Sequence, residues 1–468
     1  MGETKDLEVM LGNPRKALLS MAAPLVISYL IIELNTFMDL SWCSGLGSQC
    51  TSAVSSVSPL AWIATGLGTG IGVGAAAAIA AKLGTGEHEK SNSIASQTLV
   101  VAVVLGLVAS AILLFLIDPV VDMMGVTDIR TECHDYITPM IIGGVFVVLN
   151  GVVAGLLRAE GAARRSTYVL ITAAVTHMIL DPLLIYGLGM GLSGAAVATV
   201  IGMAAGAALG LSWYVRGRMV VKLSYKGYRP KWDEIYLVLS VGIPRAIEIF
   251  IVSIMSMIQR IFVVQCGGTQ ASMFYNLPWN YVTLAQSVSL SLGSALVPIS
   301  AAAIAMRKTP KARYAYHFAM NTSLLVVGGI AVLIFVLADL FVLPFTYSDS
   351  MAVLRPEFVH VTRIYMFLAP CMAAIDVASS MLQSMRRAQL SMISSLIRNT
   401  IIVLALMWAA TVSLDAIYWS LVACEFIGAV LMVSLAQLEI RKIAPGKVSK
   451  TECRVSSRLP SGSLPTWS

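Results

Sequence analysis

Long apolar runs alternate with short polar stretches from near the start of the chain to about residue 440. Each run is long enough to cross the roughly 30 Å hydrocarbon core of a bilayer as a helix of about 20 residues. The intervening stretches hold the glycines and charged residues typical of helix ends and turns. The pattern predicts twelve membrane-spanning helices, near residues 17–40, 52–80, 93–117, 137–157, 167–187, 194–215, 236–262, 273–305, 317–342, 360–384, 392–411 and 416–438.

The composition agrees with a chain that lies mostly in lipid. Of 468 residues, 57% are apolar and only 12% are charged, against about 25% charged residues in an average soluble domain. The first apolar run is too long for the core of a cleavable signal peptide, so we expect it to remain as a span. The expected fold class is an all-α polytopic membrane protein.

The net charge of +7 follows the topology. If the N-terminus is cytoplasmic and the spans alternate, most Lys and Arg residues fall in cytoplasmic loops, and the outer loops hold only Arg130 and Arg355. The positive-inside rule then places both termini in the cytoplasm of a protein of the cell membrane. The basic loops are expected to contact anionic membrane lipid, and no nucleic-acid partner is expected.

Two segments in the first half of the chain resemble segments about 220 residues later, which is the mark of an internal repeat. Aligning Pro24 with Pro244 brings Gly47 onto Gly267 without a gap. The repeat predicts two six-helix lobes related by a pseudo-two-fold axis along the membrane normal. We expect the protein to be a monomer. The expected organisation is an N-lobe at 1–215, a basic cytoplasmic linker at 216–234, a C-lobe at 235–442 and a disordered cytoplasmic tail at 443–468.

Two carboxylates lie inside predicted spans of the N-lobe, Asp39 in the first and Asp181 in the fifth. An ionisable residue at this depth is costly and is by default a functional candidate. Together the two acids would bind a proton, or Na⁺ when both are ionised. His177 precedes Asp181 by four residues and therefore shares its helical face. A fixed structural partner and a proton relay are equally good interpretations of His177.

Other polar residues in the spans are candidates for a substrate cavity between the lobes: Asn35, Tyr136, Asn150, Glu248 and Asp376. An amide such as Asn150 also forms contacts between helices. For Glu248 and Asp376, and for Glu33 in the first span, a structural ion pair with an intramembrane arginine is as good an interpretation as a functional role.

The chain offers no recognisable catalytic motif. The run "GLGTGIGVGAAAA" at 66–78 lacks the spacing of a dinucleotide-binding loop and no strand precedes it, so its glycines predict close helix contacts. Neither an H-E-x-x-H motif nor a Walker-type loop is found in the sequence. We therefore expect a protein that is not an enzyme and needs no cofactor.

The stretches "GNPRKALLSMAAPLVISYLIIELNTFMDLSWCSGLG", "LLRAEGAARRS" and "ILDPLLIYGLGMGLSGAAVAT" resemble the multidrug and toxic compound extrusion (MATE) transporters, most closely their DinF-like and archaeal branch. The resemblance spans about residues 12–440. It implies export of small organic cations in exchange for H⁺ or Na⁺ by alternating access. It also implies an ion site at Asp39, Asp181 and Thr199, and a bend of the first helix at Pro24.

One departure from the family bears on the coupling ion. The family usually has Asn one turn before the aspartate of the fifth span, and this chain has His177. A protonated imidazole would repel Na⁺, so the departure favours H⁺ coupling. The alternative function is a flippase for lipid or lipid-linked oligosaccharide from the same superfamily. Such proteins line the cavity with basic residues, whereas the central spans here hold mainly acids.

Overall fold

The computed structural model describes residues 2–123, 127–225, 228–343, 346 and 352–443. Eleven helices in these ranges are long and apolar enough to cross a membrane, and one bent pair of helices makes up a twelfth span. The predicted all-α, twelve-helix fold class is thereby confirmed. Most of the predicted tail, from residue 444 onward, lies outside the described residues.

The first half of the chain forms eight helices and a short 3₁₀ turn at Thr127–Ile129. They are α1 (Gly2–Leu11), α2 (Pro14–Ser44), α3 (Ser48–Gly84), α4 (His88–Met123), α5 (Arg130–Ile142), α6 (Gly144–Ala159), α7 (Ala163–Pro182) and α8 (Gly191–Val215). The start of α2 is well defined because the side chain of Asn13 accepts from the backbone N–H groups of Arg15 and Lys16, and Pro14 occupies the first helical position.

The second half forms α9 (Trp232–Ala305), α10 (Thr309–Val336), α11 (Ala338–Val342), α12 (Arg355–Tyr365), α13 (Leu368–Ser384), α14 (Ala388–Ala409) and α15 (Leu414–Lys442). Helix α9 contains two spans, Trp232–Gly268 and Met273–Ala305, which meet at Gly268 with a φ of 70°. In the N-lobe the residue at the corresponding junction is Gly47, with a φ of 115°. The repeat alignment paired Gly47 with Gly267, and the glycine with positive φ in the second lobe is the next residue, Gly268.

The fourth predicted span, 137–157, is not one straight helix. Helices α5 and α6 together form it, with a bend of 51° between them. A Cβ atom on Gly143, at the bend, would lie 2.3 Å from Cγ1 of Val200 in α8. At the bend, α5 and α6 therefore pack closely against the side chain of Val200 in α8.

The glycine run of α3 packs against α6 inside the N-lobe. A Cβ on Gly72 would lie 2.5 Å from the carbonyl oxygen of Gly151, and a Cβ on Gly155 would lie 2.3 Å from that of Gly72. Both distances are far shorter than a van der Waals contact, so the two backbones touch directly. The predicted role of these glycines in close helix contact is confirmed.

A second face of the same run packs against the other lobe. A Cβ on Gly70 would lie 2.4 Å from the carbonyl oxygen of Gly242, and a Cβ on Gly74 would lie 2.2 Å from that of Val238. Gly242 and Val238 belong to the first span of α9. Because Gly66, Gly70 and Gly74 are spaced by four residues, they form one stripe along α3 that seals the two lobes against each other.

The lobes are held together on the side of the membrane where α2 begins and α15 ends, which we call the terminal side. The hydroxyl of Ser93 donates to Glu234 at 2.5 Å, and the ammonium of Lys311 donates to the carbonyl of Leu11. One turn beyond the glycine stripe, on the same face of α3, the side chain of Trp62 is 51% exposed. The largest buried cluster combines residues of both lobes, whereas the next two belong to one lobe each, at 263–424 and 43–196. The lobes therefore close on the terminal side and diverge toward the opposite side.

The linker between the lobes is fixed to the N-lobe by a buried carboxylate. Glu160 accepts hydrogen bonds from the hydroxyl of Tyr214 (2.9 Å) and from the backbone N–H groups of Val220 (2.7 Å) and Val221 (3.1 Å). Burial raises the pKa of Glu160 to about 7, and the hydrogen bonds oppose that rise. Farther along, the N–H of Lys222 donates to the side chain of Asn92 at 2.7 Å.

Candidate functional site

Three helices of the N-lobe bring the predicted ion-site residues together around one imidazole. The Nε2 atom of His177 lies 3.0 Å from Oδ1 of Asp181, one turn later on α7, and 3.8 Å from Oδ1 of Asp39 on α2. The same nitrogen lies 3.0 Å from Oγ1 of Thr199 on α8. The four residues that sequence and resemblance placed in an ion site thus form a single cluster.

The local sequence explains why α7 and α8 approach so closely here. A Cβ on Gly202 would lie 2.6 Å from the carbonyl oxygen of Ala173 and 3.2 Å from the Cβ of His177. A larger residue would push α8 away and carry Thr199 out of hydrogen-bond range. Beyond Asp181, Pro182 ends the α-helical part of α7, which continues as a π-helical turn over Leu183–Gly187.

The hydrogen bonds around His177 indicate which nitrogen carries the proton when the ring is neutral. The amide nitrogen of Asn35 donates to Nδ1 at 2.9 Å, so the single proton of a neutral ring resides on Nε2. That proton is directed to the hydroxyl of Thr199, which itself donates to the carbonyl of Ala195 at 3.1 Å. The position of the proton on His177 is thus inferred from its hydrogen-bond partners. It places Asn35, predicted as a cavity residue, in the ion cluster.

The carboxylate of Asp181 is the least satisfied group in the cluster. Its side chain is fully buried, and neither of its oxygens receives a hydrogen bond from the described residues. The Nε2 atom of His177 lies 3.0 Å from Oδ1 of Asp181, but the proton on Nε2 points to the hydroxyl of Thr199. A buried carboxylate without donors is costly unless it is protonated or meets a cation. The structure thus leaves Asp181 in need of a positive charge.

The cluster has the dimensions of a site for a small cation. One ligand atom each from Asp39, His177 and Asp181 can be chosen so that all three lie within 4.8 Å of one another. The carboxylate oxygens and the hydroxyl of Thr199 are ligands that a hard cation accepts. The N–H of the imidazole, however, projects positive charge into the same space. The donor set therefore suits a proton better than a bare metal cation.

One neighbour of the cluster was not foreseen from the sequence. Cys43 follows Asp39 by one helical turn and is buried, with its Sγ 3.8 Å from Oδ1 of Asp39. The spacing of four residues was the only available signal, and it applies equally to many pairs on any helix. The thiol is a weak donor to the carboxylate.

Two predicted cavity residues of the N-lobe lie inside the lobe. Asn150 is buried and donates to the carbonyl of Met203 on α8 at 3.1 Å, which is the contact between helices considered as the alternative. Tyr136 is buried in α5, within electrostatic range of Asp39 and Asp181. A role for either residue in substrate binding stays a prediction.

The two predicted acids of the C-lobe are each held by neighbours. Glu248 accepts from Arg245 at 2.9 Å and from the hydroxyl of Ser391 at 3.1 Å. Asp376 accepts from the side chains of Gln286 (3.0 Å) and Ser289 (2.7 Å). Glu248 thus forms the ion pair considered as the alternative, whereas Asp376 is held by neutral donors. Their place in a substrate cavity stays a prediction.

A third intramembrane acid of the C-lobe, Glu425, was not singled out from the sequence. Arg398 donates to Glu425 at 2.9 Å, and both side chains are buried. Pro24 lies within α2, which runs continuously from Pro14 to Ser44, and the predicted bend at Pro24 stays a prediction.

Twelve spans in two lobes, with a buried acid–imidazole cluster in one of them, are the architecture of a membrane transporter. The model of the MatE family matches residues 24–183 and 244–409, one stretch in each half. The chain belongs to the MatE family. The resemblance noted from the sequence is thereby confirmed at the level of the family.

Known proteins with similar chains agree with this assignment. The multidrug export protein MepA of Staphylococcus aureus (strain bovine RF122 / ET3-1) is 23% identical over 288 residues, which are 61% of this chain and 64% of MepA. The chain thus spans less than two thirds of the length of the curated relatives it matches.

Solved structures share the whole fold. One is a MOP superfamily transporter from Pyrococcus furiosus Vc1 (DSM3638), described as having a binding pocket of reverse polarity that suggests a different function. Another is a multidrug resistance MATE family transporter in an outward-facing conformation. Each has a TM-score of 0.89 and 23% identity, covering 94% of this chain and 99% of the other. At this identity the likeness establishes the fold alone.

Proposed function

We propose that the protein is a secondary active multidrug efflux antiporter, which exports organic cations in exchange for H⁺ by alternating access. The observation that carries the proposal is the buried, donor-free carboxylate of Asp181 beside His177 and Asp39. A buried carboxylate without donors is costly until a proton or a cation neutralises its charge. The multidrug export protein MepA supports the choice of transported compounds.

Two atoms of the cluster are the proposed acceptors of the incoming proton. One is a carboxylate oxygen of Asp181. The other is Nδ1 of His177, provided that the amide of Asn35 rotates so that its oxygen accepts. That oxygen is buried and has no donor in the described residues, so the rotation would satisfy it. Because the three side chains interact, their protonation states are coupled, and the proton belongs to the cluster as a unit.

The cluster is connected to the interface between the lobes through α2. Asn35 and Asp39 are both on α2, and both contact the imidazole on α7. Farther down α2, the hydroxyl of Tyr29 lies 3.1 Å from that of Ser294 in the second span of α9. A change in the charge of the cluster changes how α2 is held, and α2 is in contact with the other lobe. This is a physical route by which ion binding favours one arrangement of the lobes.

Sodium is the alternative coupling ion. Asp39, Asp181 and Thr199 would supply its oxygen ligands, and a neutral His177 would have to turn its N–H away. We favour H⁺ because the imidazole occupies the centre of the cluster. In the proposed topology both termini are cytoplasmic in the cell membrane, so the lobes are closed on the cytoplasmic side and the protein works as a monomer. It needs no cofactor beyond the coupling ion and no enzymatic step.

Purified protein in proteoliposomes tests the proposal, with pH and Na⁺ gradients imposed separately while ethidium movement is followed by fluorescence. We expect the pH gradient to drive ethidium movement, and Asp181→Asn to abolish it while keeping the melting temperature near that of the wild type. Asp415→Asn makes the same chemical change at an exposed position and should transport normally.

Three outcomes would contradict parts of the proposal. Wild-type transport by Asp181→Asn would exclude the N-lobe site. Transport driven only by the Na⁺ gradient would replace H⁺ as the coupling ion. Movement of an anionic fluorescent lipid in preference to ethidium would favour the flippase.

A further inference from the structure

Glu33 is an intramembrane acid that the proposed ion site does not use. It lies on α2 six residues before Asp39, so its side chain is rotated by about 120° around the helix and displaced by roughly 9 Å along it. Asp39 faces α7 inside the N-lobe, whereas Glu33 approaches Thr283 in the second span of α9. Glu33 therefore lies in the seam between the lobes.

The carboxylate of Glu33 has almost no committed partner. The hydroxyl of Thr283 is within reach at 3.5 Å, the upper limit for a hydrogen bond. The same hydroxyl has only one proton, and the carbonyl of Asn280 accepts it at 3.0 Å. In the described part of the chain Glu33 forms no ion pair with any Lys, Arg or His. Its charge is thus available to an external cation.

The other intramembrane acids either have donors within the C-lobe or belong to the ion cluster of the N-lobe. Arginines pair with Glu248 and Glu425, two neutral donors hold Asp376, and His177 lies between Asp39 and Asp181. Glu33 differs from all of them because it combines partial exposure with a position in the lobe seam. One turn toward the terminal side, the contact of Tyr29 with Ser294 marks the closed part of the seam.

We propose that Glu33 is the residue that recognises the positive charge of the transported cation, at a subsite in the lobe seam separate from the ion cluster. The inference rests on the proposed export of organic cations and assigns the recognition of their charge to one side chain. A monovalent cation at Glu33 meets one carboxylate from the N-lobe and the hydroxyl of Thr283 from the C-lobe. Binding of the cation would therefore depend on the relative position of the two lobes.

Equilibrium binding of two probes of similar shape tests this inference. Tetraphenylphosphonium carries a permanent positive charge, and triphenylphosphine oxide is neutral. We expect Glu33→Gln in the full-length protein to weaken tetraphenylphosphonium binding tenfold or more and to leave triphenylphosphine oxide within twofold of wild type. Glu33→Asp keeps the charge and should restore part of the preference. Tyr29→Phe, which alters the seam without changing charge, should keep the wild-type ratio of the two affinities.

The outcomes separate this inference from the proposed function. If the wild type does not prefer tetraphenylphosphonium, the cation-export proposal itself is wrong. If the wild type prefers it and Glu33→Gln keeps the full preference, only the role of Glu33 is wrong. Equal weakening of both probes would give Glu33 a structural role and would also overturn the inference. Size-exclusion profiles and melting temperatures check that each variant is folded.

Discussion

The glycine stripe of α3 makes a quantitative prediction about how the lobes move. In Gly74→Ala the new Cβ would lie 2.2 Å from the carbonyl oxygen of Val238, whereas an ordinary contact begins near 3.4 Å. The two backbones would have to separate by about 1.2 Å. The new Cβ is attached rigidly to the backbone of α3, and the oxygen of Val238 belongs to the backbone of α9. No flexible side chain can therefore turn away to make room.

The strain falls only on the arrangement in which the lobes are closed on the terminal side. Overpacking of this kind costs about 1–3 kcal/mol. If the cost is absent when the lobes part, the population that is open on the terminal side rises about 5- to 150-fold. The magnitude is large because the glycine contact lies directly on the interface that has to open.

Spin labels on exposed residues of the terminal side measure this population. Glu89 at the start of α4 and Lys308 just before α10 belong to different lobes, so their separation reports opening in a background without native cysteines. Gly74→Ala should add a longer-distance component. The matched control is Gly72→Ala, whose Cβ would lie 2.5 Å from the carbonyl oxygen of Gly151 in the same lobe. It should lower the melting temperature and leave the distances unchanged. A Gly74→Ala distance distribution that superimposes on that of the wild type would refute the reasoning.

Three further predictions follow from buried charges. His177→Asn restores the amide that the family usually has and removes the competing imidazole proton. Na⁺ should therefore stimulate the uptake of substrate into inverted vesicles at constant pH in this variant and not in the wild type. An equal response to Na⁺ in the variant and the wild type would make His177 purely structural. Arg398→Met should destabilise the protein by about 3–5 kcal/mol because it leaves Glu425 buried and unpaired, whereas Arg398→Met combined with Glu425→Leu should recover most of that loss in thermal unfolding. The pKa of Glu160 rises on folding from 4.5 to about 7, so its contribution to stability is complete below pH 4.5 and is lost as the pH rises through 7. Glu160→Gln should flatten the dependence of the melting temperature on pH over this interval, and an unchanged slope would contradict the assignment.

The sequence by itself determined the fold class, the approximate spans and the two acids of the ion cluster. Lipid imposes the same demand on every spanning segment, namely an apolar run of sufficient length, and that demand is readable without knowing any contact. The same reasoning identified Asp39 and Asp181 because an acid in such a run is costly wherever its helix packs. The glycines of α3 were readable as contact residues because few other roles suit them at that spacing.

Only the tertiary structure decided which side chains meet. The amide of Asn35 contacts His177, Asn150 holds α8, and Glu33 faces the other lobe, although all three are simply polar residues in apolar runs. Gly143 at the bend of the fourth span likewise packs against Val200, 57 residues later in the chain. The physical reason is that the rotation and tilt of a helix in lipid are set by its packing against neighbouring helices and not by its own hydrophobicity.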